Sequence, residues 1–231
     1  MQKITVLLAD DHTIVRQGFR ALLEAEQDIA IVGEAETGRQ AVQLARKLRP
    51  DVVVMDIAMP LLNGLEATRQ IIENVPSTKV LILSSYSDDE YVHQLSEAGA
   101  VGYLLKQTAV TDLLKAIHEA TKGNTFFSPA ISRRLIDHYR QRLLKGGPVR
   151  KRTDLPTGRK AEVLQLIAEG KANKQIAAEL NISIKTVENH RQHLMNKLNI
   201  HDIAGLTRYA IANGIIESSA RVKAIRPSAM D

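Results

Sequence analysis

The chain has 231 residues, 44% hydrophobic and 3% aromatic, with a net charge of +5, which is length enough for one large domain or two ordinary ones. It contains no cysteine, and this excludes disulfides, thiolate metal sites and cysteine nucleophiles. No apolar stretch approaches the roughly eighteen residues of a membrane span, and the acids at Asp10-Asp11 come too early for a signal peptide, so a soluble, cytoplasmic protein is expected.

The charge is unevenly spread. Residues 1–127 carry 12 Lys and Arg against 17 Asp and Glu, whereas residues 128–231 carry 19 against 9. An acidic front and a basic back predict two domains, with a polyanion as partner of the second.

The first apolar run, Ile4-Thr5-Val6-Leu7-Leu8-Ala9, reads as a strand and ends on Asp10-Asp11. Val15, Phe19, Leu22 and Leu23 then recur at i, i+4, i+7 and i+8, which predicts an amphipathic helix. Residues 29–33 read as a second strand, and the helix after Gly38 carries Ala41, Leu44, Ala45 and Leu48 on one face before Pro50 ends it. Val52-Val53-Val54-Met55, with three β-branched residues in succession, suits a strand buried on both faces of a parallel sheet. A charge does not belong inside such a strand, so Asp56 falls at its carboxyl end, where open α/β sheets bind ligands.

Residues 59–64 form a turn-rich loop, followed by a helix with Leu65, Thr68 and Ile72. Val80-Leu81-Ile82-Leu83 ends on Ser84-Ser85, and Asp88-Asp89-Glu90 opens a helix with Tyr91, Leu95 and Ala98. Gly102-Tyr103-Leu104-Leu105 ends on Lys106, and a helix around Leu113, Ile117 and Ala120 completes five β–α pairs.

Strict alternation argues for a parallel sheet with helices on both faces. If the first and third strands are neighbours, three carboxylates meet at one sheet edge, which is unfavourable unless a cation lies among them. Four strands ending in acid pair, acid, hydroxyl and base form a constellation that a lone turn-capping Asp would not produce. Neither G-x-G-x-x-G after the first strand nor G-x-x-x-x-G-K-[ST] is present, so nucleotide binding loses its main support.

Asp10-Asp11, Asp56, Ser84, Tyr103 and Lys106 match in order, spacing and strand position the phosphoacceptor receiver domain of bacterial two-component response regulators. The resemblance spans about residues 3–122 and assigns residues 1–125 to the receiver. It implies a flavodoxin-like, doubly wound α/β fold with a five-stranded parallel sheet in the order 2-1-3-4-5. It further implies that Asp56 takes a phosphoryl group from a histidine kinase. Asp10, Asp11, Asp56 and the main-chain carbonyl of Ala58 would hold Mg²⁺ or Mn²⁺. Lys106 and Ser84 would meet phosphoryl oxygens.

Tyr103 taken alone reads as a half-buried strand aromatic; the resemblance makes it a switch that turns inwards behind Ser84. A protein of this kind performs chemistry only on itself, as self-phosphorylation and autodephosphorylation. The rival phosphatase reading would need a second acid two residues after the nucleophile, where this chain has Ala58. A pseudo-receiver controlled by a ligand or protein without phosphorylation stays open, although the intact set of site residues disfavours it.

Residues 126–156 read as a linker helix and flexible tether. Ser128-Pro129 suits a helix start, Ile131, Leu135, Ile136 and Tyr139 recur along it, and Gly146-Gly147-Pro148 breaks it before a basic cluster. From Thr157 the apolar period is helical. Val163, Leu166 and Ile167 define one helix closed by Gly170, and Ile176, Ala177 and Leu180 define a second. Ser183 caps a third that buries Val187, Leu194 and Leu198. Two helices joined by a three-residue turn form a helix-turn-helix, whose second helix enters the DNA major groove. Its outward face carries Lys185, Glu188, Asn189, Gln192 and Asn196; Glu188, Asn189 and Gln192 suit base edges. Lys174, Lys185, Thr186, His190, Arg191 and Lys197 suit phosphates.

Glu162-Val163-Leu164, the run from Gly170 to Ala177 and the run from Ile184 to His190 resemble the LuxR-type four-helix DNA-binding domain, over residues 157–216. The chain as a whole resembles the NarL/FixJ class of transcriptional response regulators. That implies double-stranded DNA as partner, with a homodimer formed on activation. Ile203, Leu206 and Ala210, with Ile211 also available, would supply the dimer contact from a fourth helix, although some of them must complete the domain's own core. The stripe on the third helix disfavours an RNA-binding antiterminator.

Three positions depart from the pattern, Pro156, Lys160 and Glu188. Pro156-Thr157-Gly158-Arg159-Lys160 replaces the usual Leu-Thr-x-Arg-Glu, and a cation in the first turn should weaken that helix start by up to roughly 1 kcal/mol. Glu188 stands where several relatives carry Lys, so their base preference does not transfer. The tail, residues 217–231, is polar and aperiodic and reads as disordered.

Overall fold

Val52-Val53-Val54-Met55 offers no polar side chain to either face, and it forms β3 (Val52–Asp56), buried at every position. β1 (Ile4–Ala9) lies parallel on one side of it, with Val6 opposite Val52 and Ala9 opposite Met55. β4 (Lys79–Ser84) lies on the other side, with Asp56 opposite Leu83. β2 (Ile29–Ala35) and β5 (Gly102–Leu105) extend the sheet, and β6 (Phe126–Phe127) closes its far edge. The order is β2-β1-β3-β4-β5-β6 and every pairing is parallel.

The computed structural model describes residues 3–84, 98–107, 109–129, 131–133, 136, 156 and 158–216. The helix expected over 88–97, the tether as far as residue 155, Thr157 and the tail from 217 lie outside the described residues. The chain divides into two units, Met1–Arg152 and Thr153–Asp231.

Side chains alternate along the strands and build two apolar layers. Val6, Leu8, Val54, Leu81 and Leu104 face α1 (Thr13–Glu24) and α4 (Ala109–Thr121), meeting Phe19, Leu23, Leu113 and Ile117. Leu7, Ala9, Val53, Met55 and Ile82 face α2 (Gly38–Leu48) and α3 (Gly64–Asn74), meeting Ala41, Ala45, Ala67 and Ile71. The doubly wound parallel fold is therefore as expected, with one strand more.

That strand, β6, falls at the start of the stretch assigned to the linker. A run of only two residues has no period to read, and what permits it is Gly102: a Cβ there would meet the Phe126 carbonyl oxygen at 2.6 Å. The Ser128 N–H donates to the Tyr103 carbonyl (3.1 Å), and Ile131 is fully buried in the α2/α3 layer. Ser128 does not cap the following helix through its side chain. Its Oγ is buried without a hydrogen-bond partner, and its carbonyl accepts from Ser132 N–H instead (2.9 Å).

β2 runs two residues further than read from the sequence. Its end is disguised by Glu34, whose charge is met by Arg16 and Arg20. Leu48, assigned to the apolar face of α2, is instead exposed over 36% of its surface.

The second unit consists of α5 (Arg159–Ala168), α6 (Asn173–Leu180), α7 (Ile184–Leu198) and α8 (Ile203–Ala212). Val163, Leu164, Leu166, Ile167, Ile176, Leu180, Val187, Leu194, Leu206 and Ala210 are buried in it. Leu198 is only half-buried. The start of α5 lacks a side-chain cap, its N-cap being Gly158 at φ 57°. α7 has one: Ser183 Oγ accepts from the Thr186 N–H (3.0 Å). Asn181, at φ 51°, ends α6 in the left-handed conformation that Asn tolerates and so sets the turn into α7.

Candidate functional site

Register decides which polar groups meet at the carboxyl edge of the sheet. Because Ala9 pairs with Met55, the next residues on the two strands are Asp10 and Asp56. Because Ser84 pairs with Leu105, Lys106 follows at the same edge, its N–H donating to the Ser84 carbonyl (2.8 Å). Lys106 Nζ lies 2.7 Å from Asp10 Oδ2 and 3.0 Å from Asp56 Oδ2. Asp56 Oδ1 accepts from the Ile57 N–H (2.9 Å). Asp10 and Asp56 are each 4% exposed and Ser84 is 1% exposed.

Burial pushes the Asp56 carboxyl up to about 6; the Lys106 ammonium opposes this, while Asp10 and Asp11 reinforce it. For Lys106 burial favours the neutral amine, but the Asp56 and Asp10 carboxylates outweigh it and raise the pKa above that of an ordinary lysine.

Asp10, Asp11, His12 and Asp56 each offer one ligand atom, and these atoms all lie within 4.8 Å of one another. Asp10 Oδ2 and Asp11 Oδ1 are shut off from solvent, and each is met by a charged or ring partner rather than by an aligned hydrogen-bond donor. Three carboxylates that converge on one ammonium carry more negative charge than Lys106 neutralises, and such an oxygen-rich cluster fits a hard divalent cation. Ala58 lies two residues beyond Asp56, in a loop folded hard against the strand end. There Gly64 N–H donates to the Ile57 carbonyl (2.8 Å), and a Cβ on Gly64 would meet the Asp56 carbonyl oxygen at 2.0 Å. Tyr103 is 1% exposed in the α2/α3 layer, and so is fully buried rather than half-buried.

The sequence reading missed a buried cation behind this edge. Arg16, 6% exposed, donates to the Asp10 carbonyl (2.7 Å), to Glu34 (3.2 Å) and to Glu36 (2.8 Å). The signal was present, since Arg16 shares the inward stripe of α1 with Phe19 and Leu23 at i, i+3 and i+7.

In the second unit, Glu188, Asn189, Gln192 and Asn196 are exposed along one face of α7, where Gln192 Nε2 donates to Asn196 Oδ1 (3.0 Å). Lys185 is 80% exposed and stands 3.8 Å from Glu188. Lys174 and Lys197 are exposed; Thr186, His190 and Arg191 are half-buried, and Arg191 donates to Asn173 Oδ1 on α6 (2.9 Å). Burial, aided by Arg159, His193 and Lys160, holds His190 below the usual imidazole pKa.

Of the three residues expected at a dimer contact, Leu206 and Ala210 are fully buried. They close the four-helix core and cannot be offered to another chain. Ile203, at 54%, is exposed, as is Ile211 at 38%.

Residues 6–118 match the response regulator receiver domain, and residues 157–210 match the bacterial regulatory proteins of the luxR family. The chain belongs to the LuxR-type response regulators. It is thus a DNA-binding transcriptional response regulator, and no helix among the described residues is long and apolar enough to cross a membrane. It is 40% identical over 213 residues to the transcriptional regulatory protein LiaR of Bacillus subtilis, covering 92% of this chain and 99% of that protein. It is 36% identical to DegU of Brevibacillus brevis over 226 residues, 93% of this chain and 96% of that protein. Among solved structures, the RcsB response regulator of Salmonella typhimurium matches with a TM-score of 0.55 and 30% identity, covering 92% of this chain and 100% of that one. An RcsB–DNA complex matches with a TM-score of 0.56 and 29% identity, over 90% of this chain and 98% of that one.

Proposed function

We propose that Asp56 is the phosphoacceptor of this response regulator, charged by a histidine kinase, and that its phosphorylation controls DNA binding. The observation that carries the proposal is the placement of Asp56 on a fully buried strand end, 3.0 Å from the Lys106 ammonium. An Asp56 carboxylate oxygen attacks the phosphorus of a phosphohistidine. The P–O bond forms, the P–N bond breaks, and the released imidazole keeps the electron pair and takes up a proton. Lys106 then gives its positive charge to one phosphoryl oxygen, and the Ser84 hydroxyl donates to another.

Asp10, Asp11, Asp56 and the Ala58 carbonyl would hold Mg²⁺ or Mn²⁺, which screens the repulsion between the carboxylate and the incoming phosphoryl oxygens. Tyr103 already lies buried in the same core layer as Met55 and Ile82, so in the switch it would hold the inward position behind Ser84.

The receiver runs from residue 1 past 125, through β6 to the buried Ile131, and the DNA-binding domain spans 157–216. α7 enters the major groove with Glu188, Asn189 and Gln192 on base edges, while Lys174, Lys185, Thr186, His190, Arg191 and Lys197 lie towards phosphates. Phosphorylation favours a homodimer on two half-sites about one helical turn apart, with Ile203 and Ile211 as the exposed apolar groups of α8.

Acetyl phosphate with Mg²⁺ tests this directly. The wild-type chain should take one phosphoryl group, read by mass spectrometry, and Asp56→Ala should take none. A variant still labelled on an aspartate would overturn the assignment.

A further inference from the structure

Next to the acid pair stands a ring that the phosphoryl chemistry above does not use. His12 is the N-cap of α1, in extended conformation at φ −88° and ψ 106°. Its main-chain N–H donates to Asp10 Oδ1 (2.9 Å), which turns the residue back over the acids. Its Nδ1 lies 2.8 Å from Asp11 Oδ1 and 3.4 Å from Asp10 Oδ1. The ring is not a packing element, since 62% of the side chain is open to solvent. Yet its ligand atom belongs to the same 4.8 Å cluster as those of Asp10, Asp11 and Asp56. That span is what opposite ligands show around one ion with bonds of about 2.0 to 2.4 Å.

We propose that His12 is a nitrogen ligand of this cation site and tilts it towards first-row transition-metal ions and away from Mg²⁺. The proposal rests on the reading of Asp10, Asp11 and Asp56 as cation ligands. An all-oxygen site suits hard Mg²⁺, whereas an imidazole adds affinity for ions of the borderline class and little for Mg²⁺. Asp11 Oδ1, the carboxylate atom 2.8 Å from the ring nitrogen, is buried without an aligned donor, so ring and acid meet at the edge of the cluster. Metal choice in this receiver then depends on a residue outside the phosphoryl-transfer set.

The test uses the full-length wild-type chain and the variants His12→Ala, His12→Gln and Asp56→Asn. Each is titrated calorimetrically with Co²⁺ and with Mg²⁺, and Mn²⁺-loaded samples are examined by pulsed EPR for nitrogen coupling. His12→Ala should weaken Co²⁺ about tenfold while Mg²⁺ changes by less than about twofold. His12→Gln, which keeps a hydrogen-bonding group but no ring nitrogen, should behave like His12→Ala. One nitrogen coupling should be present in the wild type and missing from both. Equal changes for the two ions, or a nitrogen coupling that survives in His12→Ala, would overturn the role of His12 alone. Asp56→Asn binding both ions as the wild type does would overturn the acid site itself, and His12 with it.

Discussion

At the end of β3 the polar groups are locked. Asp56 is held by the Ile57 N–H and by Lys106, Asp10 is pinned from behind by Arg16, and almost no water reaches either carboxylate. Along α7 they are loose: Lys185 is 80% and Glu188 48% exposed, and the bond from Gln192 to Asn196 can be exchanged for water. The contrast teaches that function and stability are coupled in the first region and separable in the second. A buried charge changes the folded state's free energy when it is altered, while an exposed reading face carries energy only once a partner arrives.

The contrast can be broken from the receiver side first, where effects should be largest. Gly64→Ala places a methyl group against the Asp56 carbonyl, so the loop must shift. It should cost more than about 2 kcal/mol in urea unfolding and also abolish labelling by acetyl phosphate. A variant with wild-type midpoint and labelling would show that the site is less rigid than its packing implies.

Asp56→Asn should act in the opposite direction. The Asp56 carboxyl stands at about 6, above its ordinary 3.8, so between these values the folded state binds more protons than the unfolded one. Stability of the metal-free protein should therefore fall as pH rises through that window and stay reduced above it. Asp56→Asn removes the penalty, gaining roughly 1 to 3 kcal/mol at pH 7.5 in EDTA, with the gain gone by about pH 4. Parallel pH profiles for the two proteins would deny that Asp56 ionises against burial.

On α7, Gln192→Ala should lower affinity for a selected duplex by about 1 to 2 kcal/mol while leaving unfolding within about 0.5 kcal/mol of wild type. A drop in stability as large as the drop in affinity would erase the distinction between the two regions. Lys174→Ala should give the smallest effect: binding weakened evenly across sequences, with the salt slope reduced by about 1. A changed sequence preference would move Lys174 to the base edges.

Much of the first region was legible because few arrangements satisfy it. Four apolar runs without a charge can only be central strands, and once their order is fixed, their terminal residues have to meet. What could not be read was whatever depended on partners distant in sequence. Arg16 looks like a misplaced charge on an apolar stripe until Glu34 and Glu36 come across from β2 and the loop after it. Phe126-Phe127 looks like the start of a linker until Gly102 lets it lie beside β5. In the second region the face of α7 was visible from its period. Which apolar residues of α8 would be spent on the core was not, because a four-helix core and a dimer seam draw on the same residues, and only packing assigns Leu206 and Ala210 to the core.

The stitch between Ser128 and the Tyr103 carbonyl has a mechanical consequence. The backbone that leaves the sheet for the second half of the molecule is moored to the very peptide that carries Tyr103, and Ile131 is sunk just beyond it. Any displacement of β5 therefore drags the root of the connecting chain with it, before a single residue of that connection has had to respond.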